Sequence, residues 1–209
     1  MNLDHLLFAS VDLPMFDKEE ATSEIFKIAN NSFWDTYRLT TMIPLMNKTG
    51  KPGFGNTLNN VNGDFQWTEY APTILVDWFE SVGFPWLGMK TRIMALITEP
   101  NFANAEHVDC KLHEVNTRQH KFRIVLQGQT GTLYFKTKQG DVAVPNVETP
   151  FIMDGGWVHG MYNTTTEKKV TLALGAPWNG LDDYGDEVKL LLDKKDYQML
   201  DNLNPYLNI

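Results

Sequence analysis

The stretch from residue 90 to residue 178 is a series of short apolar-rich segments separated by turn residues, and it constrains the fold more than any other feature. The segments are KTRIMALITEP, HKFRIVLQG, TLYFKT, DVAVP, TPFIMDG and KKVTLALGAPW, with Gly, Pro and Asn between them. Short strands at this spacing indicate an all-β sandwich or barrel. We therefore predict a mainly β protein with a double-stranded β-helix core, the jelly-roll or cupin-like arrangement.

The segments on either side of this core predict flanking helices. MFDKEEATSEIFKIAN has acidic residues early and apolar residues late, and APTILVDWFESVGFP has a proline near its start; both patterns are typical of helices. DDYGDEVKLLLDKKDYQMLDNL also spaces its apolar residues as a helix does. We expect one domain over residues 1–209, with a helical and loop extension (1–89), the β core (90–178) and a C-terminal helix (179–209).

Composition argues against several classes of partner. The formal net charge of −8 disfavours a protein that binds nucleic acid or an anionic membrane surface. No apolar stretch approaches the roughly 18 residues of a membrane span, and Asp4, His5 and Asp12 interrupt the first residues where a signal peptide would be apolar. The single cysteine, Cys110, cannot form an intrachain disulfide, so we expect a cytoplasmic protein.

The stretch NAEHVDCKLHE, residues 104–114, gathers side chains that bind metals. His107 and Asp109 are two residues apart, so on a strand both would face the same side. Two ligands do not make a firm site, and His159 is the best third candidate, 52 residues further along (159 − 107). A double-stranded β-helix would bring the two segments together. The alternative is that His107 is a surface residue and His159 an ordinary core or loop histidine.

Two histidines and one carboxylate form a triad that occupies one face of an octahedral metal. This set suits non-haem Fe(II) oxygenases, because three positions stay open for a 2-oxo acid and dioxygen. The pattern His-x-Asp is common by itself, and the prediction gains weight only from a further, independent feature.

A buried 2-oxo dicarboxylate needs a cationic partner, and two strands offer one. In HKFRIVLQG the apolar alternation leaves Arg123 on the face opposite Phe122 and Ile124. In KKVTLALG, Lys169 alternates with apolar residues and shares its face with small ones. The alternative is that Lys168 and Lys169 form a solvated strand start, since lysine is rarely buried without a partner.

Two segments together resemble the aspartyl/asparaginyl β-hydroxylase-like family, whose members depend on Fe(II) and 2-oxoglutarate. RIMALITEPNFANAEHVD resembles the entry strand and metal loop, and TPFIMDGGWVHGMYNTTTEKKVTLAL resembles the second signature. That signature is an aromatic-rich strand ending in Asp154, then His159, Asn163 four residues on, and a basic residue, Lys169, ten residues on. The resemblance covers residues 90–178. Asn163 also fits a simpler role in holding a turn.

The resemblance implies an activity and a set of metal ligands. His107 and His159 would be the two histidine ligands of the iron. Asp109 would be the carboxylate ligand, which some members of the family lack. The implied reaction is hydroxylation of an unactivated C–H bond, coupled to conversion of 2-oxoglutarate to succinate and carbon dioxide.

The resemblance also implies residues that bind the cosubstrate. Lys169 falls where the family usually has an arginine for the distal carboxylate, and a lysine can act there as a point charge. Arg123 matches an arginine that helps hold the cosubstrate. The connection before it is longer than usual, which makes Arg118 a rival for this role. Tyr134 lies on a strand from which it can reach the same carboxylate.

The sequence leaves two other functions open. One is a cupin-type metalloenzyme that uses the same ligands without 2-oxoglutarate, as a dioxygenase or an isomerase. The other is a non-catalytic β-barrel binding domain. The family implies a small-molecule, amino-acid or peptide substrate, although members that act on protein side chains or lipids are also known, and the sequence does not specify the oligomeric state.

Overall fold

The computed structural model describes residues 6–31, 36–37, 40–51, 64–107, 120–137, 140–154, 158–176 and 189–191. Within these ranges every strand pairing is antiparallel. The strands are β1 (Leu6–Ser10), β2 (Thr36–Tyr37), β3 (Thr40–Asn47), β4 (Gln66–Trp67), β5 (Ile93–Thr98), β6 (Ala103–His107), β7 (His120–Gln127), β8 (Leu133–Thr137), β9 (Gly140–Ala143), β10 (Phe151–Asp154), β11 (His159–Tyr162), β12 (Lys169–Ala176) and β13 (Lys189–Leu191). The helices are α1 (Lys18–Asn31), α2 (Thr73–Trp78) and α3 (Phe84–Leu87), and a π-helical turn (Phe79–Gly83) joins α2 to α3.

The described strands form two sheets, and the chain crosses repeatedly from one to the other. The larger sheet has the order β13-β1-β10-β7-β12-β5-β3-β2, with β4 beside β3, and the smaller sheet has the order β6-β11-β8-β9. From β5 onward the chain passes from the larger sheet to β6, back to β7, across to β8 and β9, back to β10, across to β11 and back to β12. This alternation is the path of a jelly roll, so the predicted fold is confirmed.

Apolar residues on the outer face of the larger sheet pack against the helices. Strands β7 and β12 each contribute three buried side chains to this core, and α1 packs against β7. These side chains are Phe122, Ile124, Leu126, Val170, Leu172 and Leu174. The outer-face direction predicted for the β7 set is therefore confirmed, the β12 set shares that face, and the residues that alternate with them must face the other sheet.

The helices begin and end at residues suited to those positions. Asp17 precedes α1, and its Oδ1 accepts hydrogen bonds from the backbone N–H groups of Glu19 (2.9 Å) and Glu20 (3.0 Å). Gly88 ends α3 with a left-handed φ of 69°, a conformation that glycine adopts at low cost. None of the helices in the described part of the chain is long and apolar enough to cross a membrane.

A second apolar core lies between the two sheets. Its members come from β1, β7 and β10 of the larger sheet, from β8 of the smaller sheet and from the residue that follows β9. They are Phe8, Val125, Leu133, Phe135, Val144, Phe151 and Met153. This core defines the interior of the jelly roll, and any site between the sheets must be built around it.

The division predicted at residue 90 differs from the structure. Helices α1 and α2 form where they were expected, but β1 and β3 also belong to the larger sheet, and β3 pairs with β5 along most of its length. The segment TTMIPLMN contains Pro44, which argues against an interior strand because proline cannot donate a ladder hydrogen bond. The register shifts between Pro44 and Met46, and such an irregularity accommodates the proline.

The predicted C-terminal helix is wrong for the three residues of this segment that the structure describes. Lys189–Leu191 forms β13 and pairs with β1. The apolar spacing is helical, but an open strand edge offers unpaired backbone groups, and this tertiary context overrides a local preference. The rest of the segment from residue 179 lies outside the described residues.

Asn163 joins the turn after β5 to the turn before β12. Its side chain is fully buried, and Nδ2 donates to the backbone oxygens of Glu167 (2.8 Å) and Glu99 (3.2 Å). Its Oδ1 accepts from the Thr165 hydroxyl (2.7 Å), and its backbone N–H donates to Phe102 O (2.9 Å). The turn-holding role is thus the one the structure supports, and the residue fixes β11 relative to β12.

We expect Asn163→Ala to lower the free energy of unfolding by about 2–4 kcal/mol, because it leaves several buried backbone and hydroxyl groups without partners. Urea unfolding measures this change. Asn30, exposed on α1, provides the control, and Asn30→Ala should change the free energy by less than about 0.5 kcal/mol. Equal stability of the two variants would contradict the role assigned to Asn163.

Candidate active site

Two of the predicted metal ligands lie side by side at the edge of the smaller sheet. His107 on β6 is directly opposite His159 on β11, and their ring centroids are 4.5 Å apart with an interplanar angle of 51°. His159 is buried at 3% exposure, whereas His107 is half-buried. Opposed residues of an antiparallel pair point to the same face, so the fold brings together two imidazoles from segments 52 residues apart (159 − 107).

The histidine pair faces the interior of the jelly roll. His159 is also opposite Phe135 on β8, with ring centroids 6.0 Å apart. Phe135 is fully buried in the core between the sheets. The two imidazoles therefore lie at the border of an apolar interior, which is where a metal can be held away from bulk water.

The strand that carries His107 is irregular beside the pair. His159 is opposite His107, but Met161, two residues further along β11, is opposite Asn104, three residues back along β6. One extra residue of β6 is thus accommodated between these pairs, as in a β-bulge. Bulges near functional sites re-aim side chains, and here the bulge ends at a candidate ligand.

The third predicted ligand, Asp109, lies outside the described residues, as does Arg118. The carboxylate ligand therefore stays a prediction. Among the residues that the structure does describe, no cluster of three or more His, Cys, Asp or Glu side chains could hold a metal. Nitrogen donors from two imidazoles are suitable for iron and for other first-row metals.

Lys169, the predicted cosubstrate ligand, is buried in a site shaped around it. Its Nζ donates hydrogen bonds to the backbone oxygen of Gln129 (2.8 Å) and to the hydroxyl of Thr132, and the residue is 5% exposed. Gly128 has a φ of 94°, and a Cβ there would approach Lys169 Cγ to 3.1 Å. The neighbouring Lys168 is instead exposed, and its Nζ lies 2.8 Å from Glu99 Oε1. The alternative that both lysines form a solvated strand start therefore holds only for Lys168.

Burial and the positive charge of Arg123 lower the pKa of Lys169 to about 7. No carboxylate of a described residue contributes to this shift. The buried residues with titratable side chains in the described part of the chain are Lys121, His159 and Lys169, and none is Asp or Glu. A buried amine with no carboxylate partner among the described residues, as at Lys169, favours an anionic ligand.

Arg123 faces the same interior as Lys169. It is opposite Phe151 of β10 and Ala173 of β12, and Ala173 shares the face of Lys169 by alternation. The structure therefore brings together the two cations that were assigned to the cosubstrate. Sequence analysis did not select Lys121, a buried residue two positions before Arg123; the same alternation is the signal that identifies it.

The end of β8 and the turn before it connect the lysine site to the histidine pair. Thr132, which accepts the hydrogen bond from Lys169, is three residues before Phe135, which is opposite His159. Three residues of extended chain span at most roughly 10 Å. The imidazoles and the ammonium group thus border the same interior.

Tyr134 does not face this interior, which corrects its predicted role at the distal carboxylate. It is opposite Gly160, whereas the neighbouring Phe135 is opposite His159 and is buried in the inner core. Alternation therefore places Tyr134 on the outer face of the smaller sheet. There, burial and the carboxylates of Glu106 and Asp141 raise its pKa. The sequence could not assign the face because Leu133, Tyr134 and Phe135 are all apolar or aromatic.

Two solved structures share the fold. One is the viral collagen prolyl hydroxylase of Paramecium Bursaria Chlorella virus-1, solved as a 2OG complex (TM-score 0.51, 10% identity, 84% of this chain and 98% of that chain). The other is HygX from Streptomyces hygroscopicus, solved with nickel, 2-oxoglutarate and hygromycin B (TM-score 0.51, 10% identity, 94% of this chain and 96% of that chain). At this identity the likeness concerns the jelly-roll fold. No protein-family model and no curated protein matches the sequence.

We expect Lys169→Met to gain stability relative to the parent chain at pH 6, by an amount on the order of a few kcal/mol. The folded-state pKa of about 7 lies below the reference value of 10.5. Below pH 7 both folded and unfolded chains carry the charge, so the folded state bears the full cost of burying it. As the pH rises from 7 toward 10, only the unfolded chain stays protonated and the cost disappears.

Urea unfolding of both proteins between pH 6 and pH 10 tests this expectation. The free-energy difference between Lys169→Met and the parent should shrink across the window. Parallel profiles for Lys169→Met and the parent would show that the buried amine does not titrate in this range.

Proposed function

We propose that this protein is an Fe(II)- and 2-oxoglutarate-dependent dioxygenase that hydroxylates an unactivated C–H bond. One observation carries the proposal: a pair of adjacent imidazoles and a buried lysine without a described carboxylate partner border the same interior of a jelly roll. Histidine pairs suit the metal, and the lysine suits the far end of a dicarboxylate.

The described residues fit an iron ion through their donor chemistry. His107 and His159 would hold the metal through ring nitrogens, and Asp109 would supply the carboxylate of the triad. Three protein ligands on one face leave room for a bidentate 2-oxo acid and for dioxygen. The iron and 2-oxoglutarate would supply the oxidising chemistry, so no side chain is needed as a nucleophile.

The basic residues fit the cosubstrate. Lys169 would bind the distal carboxylate as a point charge, held in place by Gln129 O and the Thr132 hydroxyl. Arg123 would strengthen the positive potential that attracts the dianion. Because a bound carboxylate favours the charged amine, Lys169 Nζ would take up a proton from solvent when the cosubstrate binds above pH 7.

The core between the sheets would keep water from the reacting groups. Phe135 lies against His159, and Leu133, Phe151 and Met153 extend the apolar lining. A dry site strengthens the electrostatic interactions inside it and limits side reactions. The substrate would then approach from the side of His107, which is only half-buried.

Within this class we propose an aspartyl/asparaginyl β-hydroxylase-like enzyme. The ordered motifs around His107 and around His159–Lys169 support this finer assignment. We expect a small-molecule, amino-acid or peptide substrate, no nucleic-acid or membrane partner, and a cytoplasmic setting in which Fe(II) stays reduced.

We expect the purified protein to form succinate from 2-oxoglutarate only when Fe(II) and oxygen are present, even without a prime substrate. His107→Ala should lower this uncoupled rate at least about 100-fold. Removing a residue that only orients a metal ligand costs up to about 100-fold, and removing the ligand itself should cost at least as much. Tyr162→Phe, an exposed position on β11, should keep the parent rate. Succinate is measured directly.

The assay also separates the alternatives. Fe(II)-dependent turnover of another compound without succinate would indicate a cupin-type metalloenzyme that does not use 2-oxoglutarate. A folded protein without any Fe(II)-dependent turnover would indicate a binding domain. Either result would contradict the proposed function.

We expect Lys169→Ala to raise the KM for 2-oxoglutarate about 10- to 100-fold, because a charge-assisted hydrogen bond contributes about 1.5–3 kcal/mol. Lys168→Ala is the matched control, because Lys168 directly precedes Lys169 and is exposed. The KM of this variant for 2-oxoglutarate should equal that of the parent. The comparison requires initial rates over a range of 2-oxoglutarate concentrations. An unchanged KM in Lys169→Ala would place the distal carboxylate elsewhere.

A further inference from the structure

The turn between β7 and β8 supplies both oxygen atoms that accept hydrogen bonds from the Lys169 ammonium group. Lys169 Nζ donates to the backbone oxygen of Gln129 at 2.8 Å and to the hydroxyl of Thr132. The Thr132 hydroxyl donates in turn to Gln129 O at 3.0 Å. An ammonium group has three donors, and these two oxygens are its acceptors among the described residues. The direction of the third donor, which remains for a ligand, therefore depends on where the turn holds the two oxygens.

The local structure of this turn is too short to hold those oxygens in place by itself. Thr130–Thr132 forms a 3-10 turn of three residues, and Gln129 before it has an extended backbone. A single helical turn does not offset the entropy lost when its residues are ordered. Its conformation must therefore be fixed by contacts with other parts of the chain.

Thr130 joins the turn to the segment that leads from β9 to β10. Its side chain is 2% exposed. Its hydroxyl donates to the backbone oxygen of Pro145 at 2.8 Å and accepts from the backbone N–H of Val147 at 2.9 Å. Breaking either bond would leave a buried hydroxyl with an unsatisfied donor or acceptor, which is costly. The hydroxyl therefore fixes the two chain segments relative to each other.

Asn146 makes a second connection between the same two segments. Its Oδ1 accepts from the backbone N–H of Gly131 at 2.7 Å and lies 3.3 Å from the Thr130 hydroxyl. A Cβ added to Gly131 would come within 2.9 Å of that oxygen, so the close approach requires glycine. Hydrogen bonds at two consecutive residues of the turn thus hold it against residues 145–147.

We propose that Thr130 is a positioning residue that fixes the turn and thereby directs the Lys169 ammonium group toward an anionic ligand. In this role it acts through Gln129 O and the Thr132 hydroxyl and need not touch the ligand. Hydrogen bonds weaken steeply when they are misaligned, so a small shift of the turn would lower the affinity for the ligand. The inference rests on the proposed function in one respect, which is that Lys169 binds the distal carboxylate of 2-oxoglutarate.

Binding of 2-oxoglutarate to the Ni(II)-loaded protein, measured by titration calorimetry without oxygen, tests the proposal independently of turnover. Thr130→Val keeps the shape of the side chain and removes the hydroxyl. It should raise the Kd for 2-oxoglutarate about fivefold, the factor that one hydrogen bond of typical net strength gives. Thr130→Ser keeps the hydroxyl and should restore the parent Kd. Thr73→Val is the matched control, because Thr73 is exposed at the start of α2, and its Kd should equal that of the parent.

Asn146→Ala is a second test that leaves the buried hydroxyl in place. Asn146 is exposed, so its truncation removes the contact with Gly131 without opening a cavity in the core, and the variant should fold. The Kd for 2-oxoglutarate should again rise, by about two- to fivefold. A parent-like Kd in Asn146→Ala and in Thr130→Val would show that the turn keeps its position without these bonds, and would overturn the inference.

The readouts distinguish positioning from stability and from failure of the site itself. If Thr130 has only a structural role, Thr130→Val will lower the urea midpoint while the folded protein binds 2-oxoglutarate as tightly as Thr73→Val does, and that result overturns this inference alone. If Lys169→Ala binds 2-oxoglutarate as tightly as the parent, the distal carboxylate binds elsewhere, and the role of Lys169 in the proposed function fails as well.

Discussion

The two-residue alternation of β7 and β12 is the constraint from which the site follows. Each strand presents apolar side chains to the helices on one face, so its remaining side chains must point between the sheets. On β7 this places Arg123 in the interior, and on β12 it places Lys169 there. Packing of the outer core thus determines where the cations are, and the cations determine what the interior can bind.

This alternation also explains how much the sequence could predict. It assigned Arg123 and Lys169 to the face opposite the apolar residues because those residues are unambiguous, and the spacing of short strands predicted an all-β sandwich or barrel. It failed for Tyr134, because three consecutive apolar or aromatic residues carry no period-two signal. The sequence did not predict β3, because Pro44 argues against a regular strand. It did not predict β13, because that strand forms by pairing with the open edge of β1.

The buried lysine is a local conflict that the rest of the fold outweighs. A cation with no described carboxylate beside it costs stability, as its lowered pKa shows. Gly128, Gln129 O and the Thr132 hydroxyl nevertheless form a close-fitting site around it. Sequences that specify a fold are locally consistent except where function requires otherwise, so this conflict supports the proposed role of Lys169 in binding an anion.

The two halves of the candidate site are supported by different sheets. The histidines lie on adjacent strands of the smaller sheet, with a bulge beside them, and the lysine lies on the larger sheet, where the helix-packed core fixes its strand. The apolar residues between the sheets, Phe135 and Phe151 among them, set the separation of these halves. If the proposed 2-oxoglutarate binds between these halves, the size of the inner core would select the length of the ligand, just as the charged groups would select its ends.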